Sequence, residues 1–318
     1  MAYKLHTKIK TLAAALALIP TLAVAAGVPK DLPYPTGTPT ADQIIEQVYY
    51  VNHFYPYKNF AIVEDGNDIT VLVSKAEGKT PTTNTLERYL NNDYSDGNIK
   101  AMDLAIFRSG KLDGTGMLIT DYEDDSKSQS YMIWLPALRK IRRFAQPAHD
   151  DAWGGTDFTF GDVVLRKPIH ETHELVGKET FNDCLGAVEI AENERNRWTK
   201  NLPAASCNPK GKEVYKVKST TKFENWWYDY RISYVDTKSF ADYRTEYFKG
   251  DQKIKVLDRD WRSQGMEDPR ALAWGYWYGK TLATNHETWA VIPEKVIRIN
   301  GEYDADLWSE KTLRKLKR

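Results

Sequence analysis

Between Asn98 and Phe107 the chain sets Ile99, Ala101, Asp103, Ala105 and Phe107 on one parity and Met102, Leu104 and Ile106 on the other. A period of two is that of a pleated strand, whose side chains alternate between faces, and not that of a helix. The alternation returns from Asp242 to Phe248. Runs at 60–63, 69–73, 117–120, 131–136, 140–144, 172–181, 214–217, 228–236 and 253–261 also read as strands. Clusters such as Glu64-Asp65-Gly66-Asn67-Asp68 mark turns between them. Further strands are expected at 164–167, 185–191, 283–289 and 294–301, whereas 75–98 reads as a long polar stretch and Trp274–Tyr278 as an unusual Trp-rich one. One amphipathic helix comes first. Thr40 is its N-cap, Gln43 completes a capping box, and Ile44, Ile45, Val48 and Val51 share a face. Long helices do not separate successive strands, which excludes parallel βαβ units. The expected class is mainly β (α+β): an antiparallel meander with a few short helices.

The N-terminus bounds the compartment. Lys4, His6, Lys8 and Lys10 precede an apolar run from Leu12 to Val24, and Ala23-Val24-Ala25 forms a small-x-small cleavage site. These are the three regions of a secretory signal peptide. Residues 1–25 are therefore expected to be removed, and the chain to work in the periplasm of a Gram-negative envelope. Residues 26–40, with Pro29, Pro33, Pro35 and Pro39, read as an extended arm, and 41–318 as one binding domain. Cleavage would take Lys4, Lys8 and Lys10 and no acid from a chain with 44 basic and 44 acidic side chains, leaving a small negative excess. That balance argues against nucleic acid as a partner. Cys184 and Cys207 are the only cysteines. In an oxidising compartment they are expected to pair, with about 3 kcal/mol of stabilisation in the chain-entropy picture.

The residues show no GxSxG, HExxH, P-loop or dinucleotide fingerprint, so neither an enzyme nor a cofactor is expected. His170 and His173 lie three apart, which in a strand points them to opposite faces and argues against a shared metal. The aromatic clusters at 226–230 and 274–278 would suit sugar stacking, but core packing explains such residues more simply. The most distinctive segment runs from Tyr131 to Val163. A hairpin concentrates Arg139, Lys140, Arg142 and Arg143 beside apolar strands. A cationic rim beside an apolar face suits an anionic amphiphile, with guanidinium on the headgroup and the sheet on the chains. An ordinary solvated hairpin tip remains the plainer alternative. Downstream, Thr156 or Asp157 would cap a short helical turn that buries Phe158 and Phe160, with the flanking glycines letting it pack closely or move.

The run W-L-P-A-L-R-K-I-R-R followed by G-G-T-D-F-T-F-G-D-V resembles the outer-membrane lipoprotein-sorting, or LolA-like, family. Trp134, Leu135, Pro136, Leu138, Arg142 and Arg143 match the family's hairpin. Gly155, Asp157, Phe158 and Asp162 match its second motif, with Thr156 in place of Ser and Phe160 in place of Tyr. Tyr247 to Lys255 is similar to a third, weaker motif. The resemblance spans Ala41 to the C-terminus. It departs at 75–98, at an insertion from Asn193 to Gly211 carrying Cys207, and at the Trp-rich stretch.

The resemblance implies a strongly curved antiparallel sheet, an incomplete barrel covered by a few short helices. It also implies a periplasmic carrier that holds a lipid, lipoprotein acyl chains or other hydrophobic cargo for transport to or from the outer membrane. Leu118, Met132, Trp134, Leu135, Phe158 and Phe160 are then expected to line the cavity, and Arg139, Arg142, Arg143 and Asp157 to contact a headgroup or partner. Some relatives work beside inner-membrane transporters of the resistance-nodulation-division (RND) type, which implies such a partner and only peripheral membrane contact. The alternative is an envelope-stress regulatory module of the same fold that binds a membrane protein.

Overall fold

The computed structural model describes residues 27–316. The expected signal peptide lies outside the described residues. A helix α1 (Ala41–Asn52) opens the ordered body. Strands β1 (Asn59–Ile62), β2 (Thr70–Lys75), β3 (Thr82–Asn91), β4 (Ile99–Phe107), β5 (Gly116–Tyr122), β6 (Ser130–Leu135) and β7 (Lys140–Phe144) follow. After a long connection come β8 (Glu171–Thr180), β9 (Glu213–Thr221), β10 (Tyr230–Asp236), β11 (Asp242–Lys249), β12 (Gln252–Ser263), β13 (Leu272–Thr281), β14 (His286–Val291) and β15 (Ile297–Ile299). A short helix α2 (Glu310–Lys315) ends the described chain.

The strands form one antiparallel sheet in the order β7-β6-β5-β4-β3-β2-β14-β13-β12-β11-β10-β9-β8, with β1 bridging β3 and β15. Its two ends, β7 and β8, do not pair, so the barrel stays open. The sheet is bent. Met117 and Ile119 of β5 wall the same small void as Trp274 and Trp277 of β13. Those strands are five neighbours apart, which would be about 24 Å in a flat sheet.

Helix α1 starts where the sequence places it. The Thr40 hydroxyl accepts from the Gln43 N–H at 3.2 Å, and the Thr40 N–H donates to the Gln43 side chain at 2.9 Å. Such a cap stabilises a helix by about 1 kcal/mol. Ile44, Ile45, Val48 and Val51 are all buried against the inner face of the sheet. The proline-rich segment before it is tied down by hydrogen bonds. Lys30 donates to the carbonyls of Asn92, Tyr94 and Lys100, Gln47 donates to Pro33, and Arg270 donates to Leu32.

Two strands escape the sequence pattern. In β3 the inward set is Leu86, Arg88 and Leu90, and the charged middle member hides the alternation; Arg88 grips Asp103 through paired bonds of 2.7–3.0 Å. In β13 nearly every residue is buried, so both parities are apolar or aromatic and no alternation exists. Three expected strands are corrected. Residues 164–165 end a helical turn, and 166–167 follow it outside any strand. Residues 185–191 form no strand and belong to the disulfide loop on the outer face, where the Leu185 N–H donates to the Ser206 carbonyl. Of 294–301 only β15 forms a strand.

Both faces are covered. On the outer face, Cys184 and Cys207 are joined in a disulfide. Their loop packs down through Phe181, Leu185 and Val188, with the Gly186 N–H donating to Asp258 at 2.7 Å and the Ser206 hydroxyl to Asp260 at 2.7 Å. Helix α2 and Trp308 cover β4 to β6 on that same face, over Leu104, Ile106, Leu118 and Trp134.

Candidate functional site

Strands β7 and β8 follow one another in sequence yet form opposite edges of the open sheet. The chain joining them, residues 145–170, has to cross the mouth, and it does so over the inner face. Its central part, Ala152 to Leu165, is a flap. It turns tightly at Gly154 and Gly155, whose φ values of +59° and +74° favour glycine at both positions. It then forms one wide helical turn, Gly161–Leu165. Thr159, rather than Thr156 or Asp157, caps that turn: its hydroxyl accepts from the Asp162 N–H, and its own N–H donates to the Asp162 carboxylate. Gly161 is needed for close approach, since a Cβ there would sit 2.9 Å from the His149 carbonyl.

Two acids latch the flap to the sheet. Asp157 accepts from the hydroxyls of Thr281 at 2.5 Å and Thr288 at 2.8 Å and contacts His286 Nδ1 at 2.6 Å. Asp162 meets Lys255 at 2.5 Å and Arg166 at 3.0 Å and accepts from the Tyr247 hydroxyl. Burial alone would raise the Asp162 carboxyl, but these two cations and the hydrogen bonds prevail and hold it well below the usual carboxylate range.

Beneath the flap the inner face is half apolar and half cationic. Ile62, Leu86, Ala105, Met117, Ile119, Trp274, Trp277, Ala290 and Ile292 form the apolar wall, closed from above by Trp153, Phe158, Val163 and Val164. The void between them is about 70 Å³. A second void of about 60 Å³ lies under α1, walled by Arg166, Arg231, Arg259, Asp162 and Asp242, and a third of about 30 Å³ lies between Arg88, Asn92 and Asp121. Val163 and Val164 of the flap line all three. The inner-face cations are paired: Arg231 with Glu171 at 2.6 Å, Arg88 with Asp103 at 2.7 Å, and Arg259 with Asp242. Glu171, which burial would raise, is pulled down to about 2 by the Arg231 guanidinium. Beneath the flap, the roomy cavity expected from sequence is thus filled by the chain's own side chains, since ligand pockets typically measure ~300–1,000 Å³.

Of the expected lining residues, Phe158 does face the apolar void. Phe160 is buried one step away against Tyr131. Leu118, Met132 and Trp134 do not face it. They lie on the outer face under α2, because the register pairs Leu118 with Met132 and sets Met117, Ile119, Tyr131 and Ile133 inward instead. Leu135 sits half-buried beside the hairpin turn. Asp157 is buried in the latch and is not free to meet a headgroup. Arg139 and Arg142 are exposed on the free edge, and Arg143 pairs with Glu310 of α2. Sequence reasoning missed Lys255, Arg259, Arg231 and Arg166. A signal was present in β12, where Lys255, Leu257 and Arg259 share one parity and Asp258 and Asp260 the other. The first set faces the flap side and the second meets the disulfide loop.

A family profile described only as an uncharacterized protein matches residues 101–203, which run from β4 through the flap into the disulfide loop. No curated protein matches the sequence. Solved structures match over most of the fold. A DUF1329 family protein from Desulfovibrio piger superposes with a TM-score of 0.62 at 14% identity, covering 87% of this chain and 100% of that one. An outer membrane lipoprotein-sorting protein domain from Vibrio parahaemolyticus gives 0.62 at 12% identity, covering 86% and 98%. A LolA superfamily protein from Nitrosomonas europaea gives 0.52 at 11% identity, covering 86% and 100%. At these identities the likeness lies in the fold, and the chain has the LolA-like fold: a bent antiparallel sheet, open along one side and covered by short helices.

Proposed function

We propose that this protein is a periplasmic binder and carrier of hydrophobic cargo, a lipid or lipoprotein acyl chains, held between the inner face of the sheet and the flap. The observation that carries the reading is the position of Val163 and Val164. One helical turn divides the interior into three small voids, so lifting the flap as a unit joins them into a single hollow. Burying an acyl chain there would contribute about 0.8 kcal/mol per methylene, and the reading requires no bond to be made or broken. The disulfide and the fold of the lipoprotein-sorting relatives support the compartment. Transfer to or from the outer membrane, with an inner-membrane RND-type transporter as partner, is the finer part of the proposal and rests on the family resemblance alone.

The hairpin edge supplies the membrane contact. Arg139, Lys140 and Arg142 are exposed beside Leu138 and Phe144, which are 51% and 47% exposed, and Arg143 and Arg314 meet at Glu310, bringing the cations of α2 alongside. Guanidinium and ammonium groups beside two apolar side chains suit an anionic lipid surface. Flotation with vesicles of phosphatidylglycerol should recover the protein at low salt and release it as salt rises. R139Q/R142Q should lose most of that binding, and equal recovery on phosphatidylcholine would contradict the contact.

The carrier reading is tested by extracting protein purified from its own periplasm and identifying the amphiphile by mass spectrometry. Near-stoichiometric lipid supports it. Recovery of one stoichiometric inner-membrane protein, with no lipid and no transfer between vesicles, would favour the regulatory alternative.

A further inference from the structure

Lys255 is a cation whose side chain is 5% exposed, flanked by the rings of Trp227 and Tyr247 at 5.1 and 5.3 Å. Its partner, Asp162, belongs to the flap and not to the sheet. Arg88 with Asp103 and Arg259 with Asp242 join strand to strand, and Arg231 with Glu171 does likewise. Of these four buried pairs, only Lys255 with Asp162 runs from sheet to flap. Lifting the flap therefore strips Lys255 of its counter-ion. A buried charge left alone is far more costly than the pair, so an opening with nothing to replace Asp162 is strongly opposed. The adjoining wall carries buried donors without a partner among the described residues: Arg259 Nε and the indole N–H of Trp277, whose ring lies 4.0 Å from the Arg259 guanidinium. Buried donors of this kind are expected to find an acceptor.

Resting on the flap-opening reading, the geometry points to cargo of one chemical class: an amphiphile with an anionic headgroup (carboxylate, phosphate or sulfate) that takes the place of Asp162 on Lys255. The headgroup replaces the departing flap carboxylate, Arg259 Nε and Trp277 Nε1 donate to its remaining oxygens, and the alkyl chain enters the apolar void walled by Trp274, Met117 and Ile119. A chain of equal length with a neutral head cannot repay the stripped lysine, so headgroup charge, not hydrophobicity alone, opens the flap.

Titration calorimetry with dodecanoate and dodecan-1-ol, both below their aggregation limits, tests this on the wild type, Asp162→Asn and the double variant D162N/K255M. The wild type is expected to bind dodecanoate at least about tenfold more tightly than the alcohol. Asp162→Asn, which keeps the shape of the latch but vacates its charge, should tighten dodecanoate by about another tenfold and leave the alcohol little changed. The double variant should bind the two alike. Equal affinities in the wild type, or an unchanged preference in the double variant, would overturn the headgroup assignment while leaving a carrier. Binding of neither probe to any of the three proteins would overturn the carrier reading itself.

Discussion

At the scale of single residues, the inner face is built from charges that would be intolerable alone. Arg231 and Glu171 are held together by three hydrogen bonds of 2.6–3.1 Å, with the Tyr228 hydroxyl donating a fourth to Glu171 at 2.9 Å. Arg231→Met should destabilise by about 3–5 kcal/mol in urea unfolding, because Glu171 is left buried and unpaired. The double variant E171Q/R231M should regain most of that, and a cost under about 1 kcal/mol for the single variant would contradict the account. His53 behaves oppositely to an ion pair. Burial lowers it from its usual value near 6.5 to about 3, and its Nδ1 lies 2.8 Å from the Tyr49 carbonyl. Below pH 6.5 the unfolded chain takes up a proton that the folded one refuses, so stability falls as the pH drops through that window. This group alone should remove about 2 kcal/mol between pH 7 and pH 5. His53→Gln should flatten the unfolding free energy over that range by a similar amount, and an unchanged slope would refute the assignment.

At the scale of elements, the flap is the piece whose attachment is chemically separable from the sheet. Asp157→Ala removes three contacts to β13 and β14 and leaves every strand pair intact. Amide exchange should speed by at least about tenfold across 153–165 and stay unchanged in β12 and β13; uniform acceleration would mean that the flap is an integral layer of the core. How far the elements could be read from sequence follows from the same geometry. Helix α1 was legible to its cap, because Thr40 and Gln43 act locally. β3 and β13 were not, since an inward arginine in one and burial on both faces in the other erase the period of two. The candidate site was harder still. The motif at 155–162 marked the flap, but the sheet partners that give Asp157 and Asp162 their roles lie 85 to 131 positions away, on strands whose register no local pattern reveals. Leu118, Met132 and Trp134 show the cost of guessing that register, since an error of one residue sends a strand's side chains to the wrong face.

At the scale of the whole molecule, an open sheet bends until its two edges, consecutive in the chain, are bridged by the segment that links them. The outer face is sealed by the disulfide loop and α2, so the flap side is the one that can admit a guest without unfolding the sheet. A covalent staple tests this directly. A Cβ built on Gly279 of β13 lies 3.1 Å from the Asp157 Cβ, just below the ~3.5–4.5 Å of a disulfide, so the two backbones must part by a few tenths of an ångström and the rim of the Phe158 ring, at 2.9 Å, must shift. In D157C/G279C, dodecanoate uptake should be abolished when the staple is oxidised and restored when it is reduced. Uptake as fast and as tight in the oxidised form would show that cargo does not enter beneath the flap.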